Sequence, residues 1–334
     1  MINQQTRLGY KVQVPENENE DSSERFDLSQ IDEANEYYIN YGYVIFTNVI
    51  SDLECDHIRD LWNNKIKKYK GKIYRQTDGK AQVNQLNNNN WVMNPILNIQ
   101  SLNSIKFGEF KEKVEKNIFN SIEVSKILHK FFNQKPKIIQ SMYFEGNTAT
   151  DEHQDSYFLD SENIGTLTAG WVALEEIKAD AGRFFVIPKS HKLDIKKNQY
   201  YSNILSNHDK YIRELILESD LEKNSIRAPY LKKGDILFWN SLTIHGSLNS
   251  YSKTNSRSSI TFHALPINHK FLHWHKHFID TPYDDLGNTV IYRRKNQNLL
   301  KNQIILFFES NFSNFFYWLK NNIIKLIYKQ THYK

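Results

Sequence analysis

PKIIQSMYFEG (136–146), TLTAGWVALEEI (166–177), RFFVIPKSH (183–191), GDILFWN (234–240) and SSITFHAL (258–265) decide the fold. Each is a short run rich in β-branched and aromatic residues, closed by Gly, Asp, Asn or Pro, as strands of a jelly roll or barrel are. Upstream the periodicity changes. Residues 31–40 predict a helix, YGYVIFTNVI (41–50) predicts a strand after Gly42, and Leu53, His57, Leu61 and Ile66 recur at helical spacing behind Ser51, a suitable N-cap. Two more helices are expected around Phe110–Phe119 and Glu123–Asn133, while residues 70–100 are turn-rich and ambiguous. Helices first and short strands later predict a mainly β fold: a double-stranded β-helix (jelly roll) core buttressed by N-terminal helices.

The flanks read differently. PENENEDSSER (15–25) is acidic and almost free of apolar side chains, so residues 1–25 are expected to be a flexible leader, with order beginning near Phe26. Residues 26–300 are expected to form one main domain. In 301–334 an amphipathic C-terminal helix is expected, with Phe308, Phe312, Phe315, Leu319, Ile323 and Ile327 at helical spacing and Lys320, Lys325 and Lys329 between them. Packing on the body or on a second subunit is the first reading of that helix, and contact with a membrane surface is the alternative.

Composition narrows the classes. The chain has 334 residues, 40% of them hydrophobic, and its net charge of +5 comes from 43 basic and 38 acidic residues that are interspersed. No basic arm or stripe is present, so nucleic acid is not expected as a partner. Cys55 is the only cysteine, which excludes an internal disulfide or a CxxC metal site and fits a reducing, cytoplasmic setting. No apolar run of membrane-spanning or signal-peptide length is visible.

One constellation carries chemistry. His153, Gln154 and Asp155 follow the strand that ends near Phe144, and His245 lies 92 residues after His153 at the end of another strand. Two imidazoles and one carboxylate on one face of a metal leave three positions open, the arrangement of non-haem iron(II) oxygenases. Residues two apart on a strand share a face, so His153 and Asp155 are expected to point together. Arg257 stands 12 residues beyond His245 in NSRSSITF. Its guanidinium suits bidentate capture of a carboxylate such as the far end of 2-oxoglutarate, with Ser247 or Ser259 adding a hydroxyl. An ordinary HxD loop and a surface hairpin arginine are the structural alternatives.

With these residues placed, the chain resembles the phytanoyl-CoA dioxygenase family of iron(II)/2-oxoglutarate-dependent oxygenases over roughly residues 35–266. The likeness runs through YYINYGYVIFTNVISDLECDHIRDLW, the HQD triplet, GWVALEEIKADAGRFFVIPKSHK and GDILFWNSLTIHGSLNSYSKTNSRSSITF. It implies that His153, Asp155 and His245 hold iron(II), that Arg257 and Ser247 bind 2-oxoglutarate, and that Trp171 lies near this co-substrate. Gln140 and Met142, on the strand before the first ligand, are implied to line the same pocket. The implied reaction uses dioxygen and 2-oxoglutarate to hydroxylate, or otherwise oxidise, a small organic substrate, releasing succinate and carbon dioxide. An oxygenase acting on a lipid-linked or macromolecular substrate, or a non-catalytic jelly-roll binding protein, are the alternatives.

The sequence also departs from the family. Lys189 stands where the family turn Pro-Gly-Ser-His has glycine, and Ala181-Gly182 replaces Asn-Gly, so altered turn geometry and a basic group at the pocket rim are expected. The retained Asp155 argues against the halogenase branch. Tyr157, Phe158 and Arg183 are the candidate substrate contacts, Arg183 suiting an anion. His263, His269, His273, His275 and His277 form a second histidine-rich stretch without acidic or cysteine partners for a metal.

Overall fold

The computed structural model describes residues 1–146, 148–193, 204–219, 225–274 and 277–331. An N-terminal hairpin (β1, Ile2–Gln5; β2, Lys11–Val14) precedes β3 (Arg25–Phe26), α1 (Ile31–Tyr41), β4 (Tyr43–Phe46) and α2 (Asp52–Leu61). Ser51 caps α2 by accepting from Glu54 N, as its sequence position predicts. Short strands β5 (Ile73–Tyr74), β6 (Ala81–Gln82) and β7 (Ile96–Leu97) occupy the turn-rich region, followed by α3 (Ser104–Val114) and α4 (Ile122–Phe132). The strand-rich half comprises β8 (Pro136–Phe144), β9 (Thr150–His153), β10 (Leu159–Ser161), β11 (Thr168–Ala173) and β12 (Phe184–Val186). After α5 (Ile204–Glu218) come β13 (Ile236–Asn240), β14 (His245–Ser247), β15 (Ser259–Pro266), β16 (Phe271–His273), β17 (His277–Ile279), β18 (Tyr283–Asp285) and β19 (Val290–Tyr292). Helices α6 (Leu300–Asn311) and α7 (Ser313–Thr331) end the described chain.

Two sheets face each other. The major sheet runs β18-β19-β8-β15-β11-β13-β4-β3, with β7 also paired to β8, and the minor sheet runs β12-β14-β9. Strand alternation divides the major sheet's side chains between two cores. Val44, Phe46, Tyr143, Val172, Phe238, Ile260 and Phe262 pack outward against Trp62, Phe110, Phe119, Ile127 and Leu128 of the helical layer. Tyr43, Ile45, Ala169, Trp171, Leu237 and Trp239 point inward, where they meet Phe184 and Val186 of the minor sheet. The jelly roll buttressed by helices is therefore the observed architecture.

Gly42 shows how tightly the helical layer and the sheet are joined. It ends α1 in the left-handed conformation (φ 79°), and a Cβ there would lie 2.3 Å from His191 Nδ1 and 2.5 Å from Thr243 Oγ1. Lys189 adopts a left-handed φ of 65° without the freedom of glycine. Its N–H donates to Tyr41 O and its ammonium lies over the Tyr41 ring, so it braces α1 and does not provide the expected basic group at a pocket rim.

The flanks depart from expectation. Residues 1–25 are built into the fold: in KVQV the alternating Val12 and Val14 are buried beside Phe185, Ile187 and Ile244. Gln4 donates to Ala179 O, Leu8 N–H donates to the buried Glu152 carboxylate, and Asp21 pairs with Arg25 and accepts from Tyr230 N. The acidic segment is held by Arg25 within it and by distant partners, Lys232 pairing with Glu18 and Tyr230 N–H donating to Asp21, which its local composition does not reveal. The expected single C-terminal helix is two, broken at Phe312 (φ −127°, ψ 42°) inside the polar ESNFSN segment. The side chains of Ile323, Lys325, Ile327 and Lys329 lie outside the described residues.

Candidate metal centre

His153 ends β9, His245 begins β14, and the two are direct partners across the antiparallel pair. Gly246 permits this approach: a Cβ there would lie 2.7 Å from both Thr150 O and the Phe185 ring. Gln154 keeps an extended backbone (φ −107°, ψ 131°), which returns Asp155 to the face of His153 just before a 3₁₀ turn over Asp155–Tyr157. Gln154 itself points the other way, donating to Leu242 O and accepting from Tyr211 OH. Alternation thus does what the HxD spacing predicts, and a buried glutamine anchors the residue between the two.

One atom from each of His153, Asp155 and His245 lies within 4.8 Å of the others. Asp155 Oδ1 is 3.7 Å from Nε2 of both histidines. The opposite ring nitrogens are engaged: His153 Nδ1 is 2.8 Å from Asp151 O and His245 Nδ1 is 2.9 Å from Thr243 O. Those carbonyls require protonated Nδ1, which leaves each Nε2 lone pair facing the centre. Burial, reinforced by His153, pushes His245 down to about 3, so its imidazole is neutral at physiological pH. Burial alone would raise Asp155, but the imidazoles of His245, His263 and His153 outweigh it and hold the carboxyl below its usual range. Two imidazole nitrogens and one carboxylate oxygen converging in this way make a donor set that fits a divalent iron.

Two residues complete this centre that the HxD pattern did not single out. Trp239 Nε1–H donates to Asp155 Oδ2 at 2.8 Å, leaving Oδ1 toward the histidines. His263 Nε2 lies 3.4 Å from the same Oδ2. Their signal was present in the strand pattern: Trp239 and His263 both pair with Ala169 of β11, so all three share the inner face.

Beyond the ligands the inner face continues to Arg257, which is 3% exposed. Its Nη1 donates to Gly182 O at 3.0 Å, and its guanidinium sits 5.3 Å from the Phe144 ring and 5.8 Å from Trp171. Trp171 stacks on Phe184, and Phe184 stacks on His245 at 5.4 Å, so a file of rings joins the arginine to the candidate metal centre. Burial lowers Arg257 to about 9, and an anion beside it would reverse that shift. Met142, Thr261 and Trp171 align across three strands, and Gln140 stands opposite His263. Ser247 Oγ exchanges hydrogen bonds with Thr150, accepting from its N–H and donating to Oγ1, while Ser259 Oγ donates to Arg257 O.

The three residues expected to contact substrate lie apart. Phe158 is beside the centre, its ring 6.2 Å from that of His153 and 5.3 Å from Trp274. Tyr157 is fully buried against Tyr211 and His208. Arg183 immediately precedes β12 and is engaged by carbonyls, donating to Pro15 O and Ile177 O at 2.7 and 2.6 Å. It holds the N-terminal segment and is not available to an anionic substrate. The later histidines scatter: His269 lies by Ser161 and Asn163, His273 by Arg294, and His275 lies outside the described residues. Among the described residues His153, Asp155 and His245 are the group of three that could hold a metal.

Comparison with known proteins gives a consistent answer. The family model described as phytanoyl-CoA dioxygenase matches residues 38–259. Phytanoyl-CoA dioxygenase domain-containing protein 1 of Danio rerio is 31% identical over 178 residues, covering 50% of this chain and 58% of the relative. The Caenorhabditis elegans homolog is 29% identical over 160 residues, 45% and 54% of the two chains. The match spans about half the length of these curated relatives. Among solved structures, the non-heme alpha-ketoglutarate-dependent carbocyclase SnoK from nogalamycin biosynthesis superposes with a TM-score of 0.52 at 17% identity, covering 72% of this chain and 85% of its own. The epimerase SnoN gives 0.53 at 14% identity, covering 80% and 99%. At such identities the likeness is one of fold.

Proposed function

Because the chain belongs to the phytanoyl-CoA dioxygenase family, we propose that it is an iron(II)- and 2-oxoglutarate-dependent dioxygenase acting on a small organic substrate, with release of succinate and carbon dioxide. The observation that carries this reading is the convergence of His153 Nε2, Asp155 Oδ1 and His245 Nε2, each backed by a fixed partner on its far atom. When bound, iron with 2-oxoglutarate would supply the means for dioxygen, the oxidant, to oxidise both 2-oxoglutarate and the substrate, chemistry that no side chain here can provide. The chain's own groups bind, orient and exclude water. Arg257 would take the distal carboxylate of 2-oxoglutarate, with Ser247 beside it and Trp171 and Met142 walling the pocket. The ring of Phe158 would close the side next to His153.

Hydroxylation is the reading we favour, since it needs only a substrate C–H held near the ligand set. A cleft of about 250 Å³ lined by Met93, Phe144, Thr150, Gln76 and Thr77 lies against β9 and has room for a small molecule. The testing experiment is an anaerobic titration with iron(II) and 2-oxoglutarate, read by the visible charge-transfer band of the chelate. Succinate yield in oxygen is then compared with a metal-free control. A band that depends on both additions and succinate above the control are expected; neither signal in either order of addition would end the reading.

A further inference from the structure

Helices α6 and α7 are fastened to the body by one side only. The Glu309 carboxylate is buried there, accepting from Ala81 N, Tyr74 OH and Tyr317 OH, while Lys72 donates to Ser310 O and Lys80 lies over the Tyr317 ring. The other side is bare. Leu300, Ile304, Phe307 and Phe308 of α6 recur at helical spacing and are exposed, and Phe312, Phe315, Trp318 and Leu319 continue the surface into α7. Phe315 and Trp318 are 60% and 62% exposed, and rings of this surface touch one another in the Phe307–Phe312 and Phe315–Trp318 pairs. Elsewhere among the described residues, exposed large apolar side chains are scattered. A contiguous apolar face of this kind marks an interaction surface.

Charge decides what covers it. Of 43 basic and 38 acidic residues, five lysines and one acid fall in 301–334, leaving 38 against 37 in the rest of the chain. The one acid is Glu309, whose carboxylate is turned into the body; of the lysines whose side chains are described, Lys301 and Lys320 are both exposed, Lys320 over the Tyr317 ring. A second copy would bring the same excess of positive charge against itself. Aromatic rings interleaved with lysine are instead the composition of a segment lying in a membrane interface with anionic headgroups. No described helix is long and apolar enough to cross a membrane, so the contact is with the surface.

We propose that the exposed face of α6 and α7 docks the protein on an anionic lipid bilayer. The hairpin β5–β6 that α6 and α7 clasp also supplies Gln76 and Thr77 to the cleft against β9. The proposal concerns location and stands or falls apart from the oxygenase reading.

The test is flotation of the full chain with vesicles of phosphatidylcholine alone or with about one third phosphatidylserine. Binding to the phosphatidylserine vesicles, weakened by raised salt, is expected. Phe315→Glu with Trp318→Glu should reduce it at least tenfold, and Lys301→Glu with Lys320→Glu should abolish the preference for anionic lipid. Since all four side chains are exposed, each variant should keep the wild-type thermal midpoint and iron titration. No flotation of the wild type on either vesicle would overturn the proposal. A wild-type dimer that Phe315→Glu dissociates, without vesicle binding, would overturn it in favour of a second copy.

Discussion

Arg257 and Asp155 should fail in different ways when substituted. Arg257→Gln removes the charge partner of a buried carboxylate, a loss of about 2–5 kcal/mol, so its 2-oxoglutarate requirement should rise steeply and high co-substrate should partly restore succinate formation. Asp155→Ala removes a ligand atom and a compensating negative charge, and no concentration of 2-oxoglutarate should restore it. Succinate formation across a wide co-substrate range separates the two; an unchanged requirement in Arg257→Gln would show that another group anchors the carboxylate. Trp239→Phe tests positioning. It keeps the ring contacts with Phe184 and His245 but deletes the N–H on Asp155 Oδ2. Iron affinity should fall about 10- to 100-fold with the fold intact, measured by anaerobic metal titration and thermal midpoint in parallel.

At the level of elements, the sequence was most legible where one short pattern sets both structure and chemistry. The strand runs, the Ser51 cap and the HxD alternation all depend on neighbours within a few residues, and all appear as their spacing requires. What was illegible depends on partners far along the chain. Arg183 looks like an anion receptor in isolation, and the acidic N-terminal segment looks unable to fold, until Arg183 is seen donating to Pro15 O. Each misreading explains the other. Deleting residues 1–14 should therefore cost stability, on the order of 3–6 kcal/mol from Val12 and Val14 alone. It should also strip Glu152, next to His153, of its Leu8 N–H partner. Denaturant unfolding checks this: a midpoint equal to that of the full chain would mean the hairpin is dispensable.

Across the whole molecule, ligand set and fold are linked, because the centre joins strands that only the folded chain brings together. Iron(II) with 2-oxoglutarate, supplied anaerobically at about a hundred times the dissociation constant, should stabilise the protein by about 2.7 kcal/mol. Calorimetry should show the raised midpoint in the wild type and none in Asp155→Ala. The pairing of His153 with His245 has a mechanical corollary. An ion gripped by both buckles a hoop of 92 residues, since its ends meet across β9 and β14. Pulled by its termini, the loaded molecule would pay out the chain on either side and stop at the hoop. Its extended length would fall short of the metal-free chain by about 300 Å, at roughly 3.3–3.6 Å for each withheld residue. The buckle then becomes visible as missing slack, and its rupture force measures how firmly the three ligands hold.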